Sequence, residues 1–166
     1  RSVSRGLGDV YKRQILAVGT KMSNWIDAGC NEYLKRFPKS WELQIKEIVQ
    51  KQHHSKHSVE SIKIMESDVI MQNVKHGTYL VALDENGAEM NSMTLSKKIE
   101  LWQMEGRNLT VIIGGPNGLS KDLLQKCDFI WSLSQLTFPH PLARLILLEQ
   151  LYRAWTITNK HPYHRP

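Results

Sequence analysis

The sequence predicts an α/β fold in one domain, a mostly parallel sheet with helices on both faces. Three apolar runs carry this reading: residues 79–83, 109–113 and 129–133 are apolar at almost every position. Strands buried on both faces read this way, whereas a sheet with one wet face alternates. Stretches of helical periodicity separate the runs, so strands and helices alternate along the chain. The chain has 166 residues, of which 41% are hydrophobic, enough for a single core, and no internal repeat or linker interrupts it.

Taken in order, residues 1–14 mix Gly, Ser and Arg without periodicity and read as a non-native or disordered extension, leaving 15–166 as the domain. Order begins with the apolar run 15–18 before Gly19. A helix capped by Ser23 follows, with Trp25, Ile26, Cys30, Tyr33, Leu34 and Phe37 at helical spacing and Pro38 closing it. Residues 42–49 alternate polar and apolar side chains, as a half-buried edge strand does. A polar loop leads to an amphipathic helix over 59–74. The strand at 79–83 ends in the turn Asp84-Glu85-Asn86-Gly87, and helical spacing resumes through Leu95, Ile99, Leu101 and Trp102. The strand at 109–113 stops at Gly114-Gly115-Pro116-Asn117-Gly118, where Asn117-Gly118 supplies positive φ. A short helix starts near Ser120, a last strand covers 129–133, and Pro141 opens a long final helix. On that helix Leu145, Leu148, Tyr152 and Trp155 form an apolar stripe suited to core or to a dimer contact.

Charge decides little about partners. The formal net charge is +6, but half of it lies in residues 1–14, leaving a mildly basic body of +3. No apolar stretch approaches the roughly 20 residues of a membrane span, and no secretory signal is visible. The two cysteines, Cys30 and Cys127, form no CxxC pair, so a reducing, cytoplasmic setting is the plain reading. His53, His54 and His57 imitate metal spacing, yet no Cys or acid cluster accompanies them, and no metal is expected.

Ligands of open α/β sheets bind beyond the carboxyl ends of the strands. Three such ends stand out: Leu83, Gly114-Gly115, and the run 134–138. They offer backbone amides, small residues and hydroxyls but few charges, a composition suited to a neutral heteroaromatic ring such as adenine. The glycines fit neither G-x-G-x-x-G nor a P-loop, and a tight turn alone also accounts for 114–118.

Several motifs, spaced in order from about Ile15 to the C-terminus, are similar to those of the RlmH family. They are Ile15-Leu16-Ala17-Val18-Gly19-Thr20-Lys21, Val111-Ile112-Ile113-Gly114-Gly115-Pro116-Asn117-Gly118, Leu133-Ser134-Gln135-Leu136-Thr137-Phe138-Pro139-His140, Glu149-Gln150-Leu151-Tyr152-Arg153-Ala154-Trp155 and His161-Pro162-Tyr163-His164. The resemblance implies a SPOUT-superfamily fold with a C-terminal trefoil knot, a homodimer, and S-adenosylmethionine (SAM) as methyl donor. It also implies methylation at N3 of a pseudouridine in helix 69 of 23S rRNA within assembled ribosomes. The implied cofactor positions are Leu83, Gly114, Leu133, Ser134, Gln135, Leu136, Thr137 and Phe138, the same strand ends that the sheet argument selects.

The imide N3 of a pseudouridine must lose a proton, so a base or an anion stabiliser is expected. His140, Arg144, Tyr163 and His164 are the catalytic candidates, and Arg153, His161 and Arg165 the RNA-binding ones. Each has a plainer reading. His140 caps a helix, Arg153 pairs with Glu149 four residues earlier, and the tail is a loose end. A cation as early in its helix as Arg144 opposes the dipole, which favours a functional role. A non-catalytic RNA- or ribosome-binding protein of the same fold, and a tRNA methyltransferase of the same superfamily, are the alternatives.

Overall fold

A computed structural model describes residues 12–50 and 57–165. Its five strands are β1 (Arg13–Val18), β2 (Leu43–Ile48), β3 (Tyr79–Ala88), β4 (Leu109–Ile113) and β5 (Phe129–Trp131). All pair in parallel, in the order β2-β1-β4-β3-β5. The alternating 42–49 stretch does form an edge strand, and the nearly all-apolar 109–113 run lies near the middle of the sheet.

Helices α1 (Asn24–Leu34), α2 (Val59–Gln72), α3 (Ser92–Met104), α4 (Lys121–Lys126) and α5 (His140–Thr158) cover both faces. Successive strand residues point to opposite sides. Ile15, Ala17, Val81, Val111 and Ile113 therefore pack with α1, α3 and α5, including Ile26, Leu95, Ile99, Leu147 and Leu151. Leu16, Val18, Leu80, Ala82 and Ile112 face the other way, onto Ile70 of α2 and Leu123 of α4.

Several boundaries differ from the sequence expectation, each for a local reason. The strand expected to start at Ile15 begins at Arg13. Arg13 is buried, its Nη1 donates to the carbonyl of Trp41 at 2.8 Å, and its guanidinium lies 3.9 Å from the Trp41 ring centroid. Lone polarity hid this residue, because its partners are distant in sequence. Residues 1–11, the rest of the expected extension, lie outside the described residues, as do His53 and His54. Ser23 holds the N-cap position of α1, but its side chain makes no cap hydrogen bond. That helix stops at Leu34, and a 3-10 turn over Lys39–Trp41 leads into β2. Pro141 sits second in α5, after His140.

The largest difference is at β3. The expected turn at 84–87 does not end the strand, which runs on to Ala88 with a register shift between Leu83 and Ala88 against Trp131. Ser132 N–H donates to the Ala88 carbonyl at 3.0 Å. A Cβ on Gly87 would lie 2.7 Å from Ile130 C and O and from Trp131 C, so only glycine permits this backbone-on-backbone approach. Gly118 does adopt positive φ (+82°) and closes the 115–118 turn by donating to the Gly115 carbonyl at 2.9 Å.

Candidate active site

Residues 83–86 of β3 and the segments that follow β4 and β5 surround a cavity of about 460 Å³. Such a volume falls within the range of small-molecule sites, about 300–1,000 Å³. Leu83 contributes from β3 and Gly114 from the end of β4, while Leu133, Ser134, Leu136, Thr137 and Phe138 contribute from the loop after β5. Seven of the eight expected cofactor positions are thus brought together. Gln135, the eighth, is exposed and is not part of the lining.

Local hydrogen bonds shape this wall. Ser132 Oγ donates to the Ser134 carbonyl at 3.0 Å, and Ser134 Oγ accepts from Leu136 N–H at 3.0 Å. Leu136 is left 72% exposed, an apolar side chain held at the cavity rim. At Gly114 a Cβ would lie 2.9 Å from Leu119 Cδ2, so the loop closes on itself there only for want of a side chain.

Sequence reasoning missed the contributions from the helices. Lys63 of α2, Lys121 and Leu124 of α4 and Ala143 of α5 all line the cavity, as do Asp84, Glu85 and Asn86. Asp84, Glu85 and Asn86 follow Leu83 directly and were within reach of the strand-end argument. Lys63 carried no signal, since its place depends on how α2 lies across the sheet.

The catalytic candidates separate into two groups. His140 is half-buried at the start of α5, next to the loop after β1: a Cβ on Gly19 would lie 3.2 Å from its Nε2. Burial, and then the neighbouring Arg144 charge, lower its pKa, so the ring stays neutral to lower pH than usual. Arg144 is buried, donating from Nη1 to Glu47 Oε2 at 2.7 Å and from Nη2 to the Gly19 carbonyl at 3.0 Å. These bonds explain why a cation is tolerated near the start of a helix: a carboxylate of β2 neutralises it.

Tyr163 and His164 lie elsewhere. The tail folds back along the second half of α5, with the Tyr163 ring centroid 4.8 Å from that of Tyr152. Tyr163 Oη donates to Glu149 Oε1 at 2.9 Å and is 3.0 Å from Tyr33 Oη. Burial, then those two hydrogen bonds, push the Tyr163 pKa upward, so it is a poor base. Arg153 pairs with Glu149 at 2.6 Å, as its spacing allowed, and its Nη1 lies 3.1 Å from His164 Nδ1. His161 packs near Tyr152 and Trp155, whereas Arg165 is exposed. None of Arg153, His161, Tyr163, His164 and Arg165 is among the residues that line the cavity.

The stripe offered as a dimer contact is also accounted for within the subunit. Leu148 and Tyr152 are buried, and Leu145 and Trp155 pack against the same core. Among the described residues no group of His, Cys, Asp and Glu is placed to hold a metal, and no helix is long and apolar enough to cross a membrane.

A family model described as "Predicted SPOUT methyltransferase" matches residues 11–164. The chain belongs to the SPOUT methyltransferases. Proteins named ribosomal RNA large subunit methyltransferase H are close relatives. That of Hahella chejuensis is 43% identical over 152 residues, covering 92% of this chain and 97% of its own length. That of Paraburkholderia phymatum is 44% identical over 154 residues, covering 93% and 99%. A probable methylase family protein from Haemophilus influenzae shares the fold, with a TM-score of 0.57 at 10% identity over 95% of this chain and 72% of its own. A putative methylase family protein from Neisseria gonorrhoeae gives 0.53 at 12% identity over 90% and 86%. In this SPOUT methyltransferase the family match starts four residues before Ile15, in keeping with the order seen at Arg13.

Proposed function

We propose that the chain uses SAM to methylate N3 of a pseudouridine in helix 69 of 23S rRNA, acting on assembled ribosomes in the cytoplasm. The observation that carries this reading is the convergence of Leu83, Gly114 and the 133–138 loop on one cavity. The large-subunit rRNA methyltransferase names of relatives at 43% and 44% identity support the substrate class.

The residues present fit the cofactor. The cavity is large enough for a nucleoside with an amino-acid arm, and bare backbone at Gly114 and Gly115 allows close approach. Lys63, Lys121, Asp84 and Glu85 in the lining offer partners for both charges of an amino acid. When bound, SAM supplies an electrophilic methyl on a positively charged sulfur. The chain's own task is to orient the base for in-line attack and to remove its N3 proton. We assign that removal to His140, the half-buried imidazole at the start of α5 that directly follows the 133–138 loop and lies beside Gly19. Arg144 holds the Gly19 carbonyl and the start of α5, and so positions His140.

A homodimer belongs to this reading. Tyr163, His164, His161, Arg153 and Arg165 do not line the cavity of their own subunit, and a role for them in RNA binding or catalysis is assigned to the cavity of a second subunit. The trefoil knot belongs to it as well, as the fold that the resemblance implies.

Calorimetry with SAM, followed by methyl incorporation into intact ribosomes and into protein-free 23S rRNA, tests the reading. Micromolar SAM binding and incorporation confined to ribosomes are expected. A chain that binds rRNA without SAM would instead be a binding protein of the same fold.

A further inference from the structure

One helix holds the cofactor loop from behind, at both of its ends. Glu66 and Ser67 are adjacent on α2, and both are buried, 2% and 4% exposed. The Glu66 carboxylate lies directly under Gly115, where a Cβ would come within 3.1 Å of Oε1 and 3.4 Å of Oε2. Ser67 Oγ accepts a hydrogen bond from Ser120 N–H at 3.1 Å. Ser120 in turn caps α4, its Oγ accepting from Leu123 N–H at 3.2 Å. Gly115 stands near the start of the loop that lines the cavity, and Ser120 just past its end.

We infer that Glu66 and Ser67 are positioning residues that preset the 114–120 loop for SAM. Their burial is unusual for polar side chains on a helix that only needs to cover a sheet, where Ile62 and Ile70 already do that work. The Ser67 hydroxyl holds the loop backbone by a hydrogen bond that an aliphatic side chain would not make, and the Glu66 carboxylate fills the space beneath Gly115. A ligand that binds through backbone contacts depends on that backbone being in place beforehand, since any ordering left to the binding step is subtracted from affinity.

The inference rests on the SAM reading of the cavity, and a control separates the two. Gly114→Leu fills the loop's interior next to Leu119 and should abolish SAM binding in a folded protein. If it binds SAM normally, the cavity reading fails, whatever α2 does. The test measures SAM dissociation constants by calorimetry, KM for ribosomes, and thermal unfolding, on Ser67→Ala, Glu66→Ala and Glu66→Gln. Ser67→Ala should weaken SAM about fivefold, as loss of one hydrogen bond to a buried N–H predicts. Glu66→Ala should weaken it at least tenfold, while Glu66→Gln, which keeps the volume and an acceptor, stays within about threefold. KM for ribosomes should stay within about twofold in all three.

If Glu66→Ala does not fold, Ser67→Ala and Glu66→Gln still decide the matter. SAM affinity within twofold of the parent in Ser67→Ala would overturn the inference. So would a ribosome KM that rises by the same factor as the SAM dissociation constant, because general softening of the domain acts on both. A Glu66→Gln variant as weak as Glu66→Ala would overturn the part assigned to Glu66.

Discussion

Arg144 and Glu47 form an ion pair of 2.7 Å between residues 97 apart in sequence, with the arginine 4% and the glutamate 40% exposed. The asymmetry has consequences. Removing Glu47 strands a buried guanidinium, whereas removing Arg144 leaves a carboxylate that water reaches. Glu47→Ala should therefore cost about 2–3 kcal/mol, and more than the apolar replacement Arg144→Met, in urea unfolding at neutral pH. If Arg144→Met proves the more damaging, the pair is a net stabiliser beyond its neutralising role.

The contact between Gly87 and β5 predicts an unusual sensitivity to one methyl group. Gly87→Ala would drive a Cβ into the backbone of Ile130 and Trp131 at 2.7 Å, where no side chain can move aside. A loss of about 3 kcal/mol or more is expected, well above ordinary overpacking at about 1–3. Gly77→Ala is the control: Gly77 has positive φ (+80°) but nothing within 4 Å, so it should lose only about 1 kcal/mol. Equal melting temperatures for the two variants would show that β3 and β5 separate easily.

Arg13 gives a test of the first strand. A chain shortened to begin at Ile15 loses two strand residues, and with Arg13 its donations to Trp41 and Gln103, at 2.8 and 3.1 Å. It should be less stable by at least about 2 kcal/mol than a chain beginning at Lys12. Indistinguishable thermal melts would mean that Arg13 adds nothing, and that ordered structure could as well be counted from Ile15.

His140 makes both stability and rate depend on pH, in a defined direction. Its pKa is lowered in the fold by burial and by Arg144. As pH falls below about 6.5 the unfolded chain takes up a proton that folded His140 still refuses. Stability should therefore fall through that window and level off below the folded pKa. His140→Asn should remove this part of the slope. The same substitution should lower methyl transfer about 10²–10⁴-fold if the ring is the base. A variant with full activity and a flattened stability profile would assign His140 a purely structural part.

The tail prediction concerns two subunits. Deleting residues 161–166 removes Tyr163 from Glu149 and Tyr33 and should abolish methylation, with SAM affinity changed less than about twofold. Mixed dimers decide whose cavity the tail serves. Subunits without the tail, combined with Gly114→Leu subunits, should recover activity, since each mixed dimer then has one intact cavity and one tail from the other chain. No recovery in verified mixed dimers would place the tail's action in its own subunit.

Strand positions were legible in the sequence because burial on both faces forces apolar residues at consecutive positions, a purely local signature. Leu83, Gly114 and the 133–138 loop, all but Gln135 in the cavity lining, lie at the ends of apolar runs that the sequence marks. The Gly118 turn was equally local, since positive φ is a property of one residue. Glu47 beneath Arg144, Glu66 beneath Gly115 and Trp41 beneath Arg13 carried no such mark: each meets a partner supplied by another element. The continuation of β3 over β5 was hidden for the same reason, because Asp84-Glu85-Asn86-Gly87 reads as a turn until a neighbouring backbone occupies the space beside Gly87. The sequence by itself determined which segments form buried strands and helices, through the spacing of apolar side chains. Only the tertiary structure decided which buried polar groups meet, and that the C-terminal tail folds back onto Glu149, Tyr152 and Tyr33 and not into the cavity lining, because long-range pairing depends on how the layers pack.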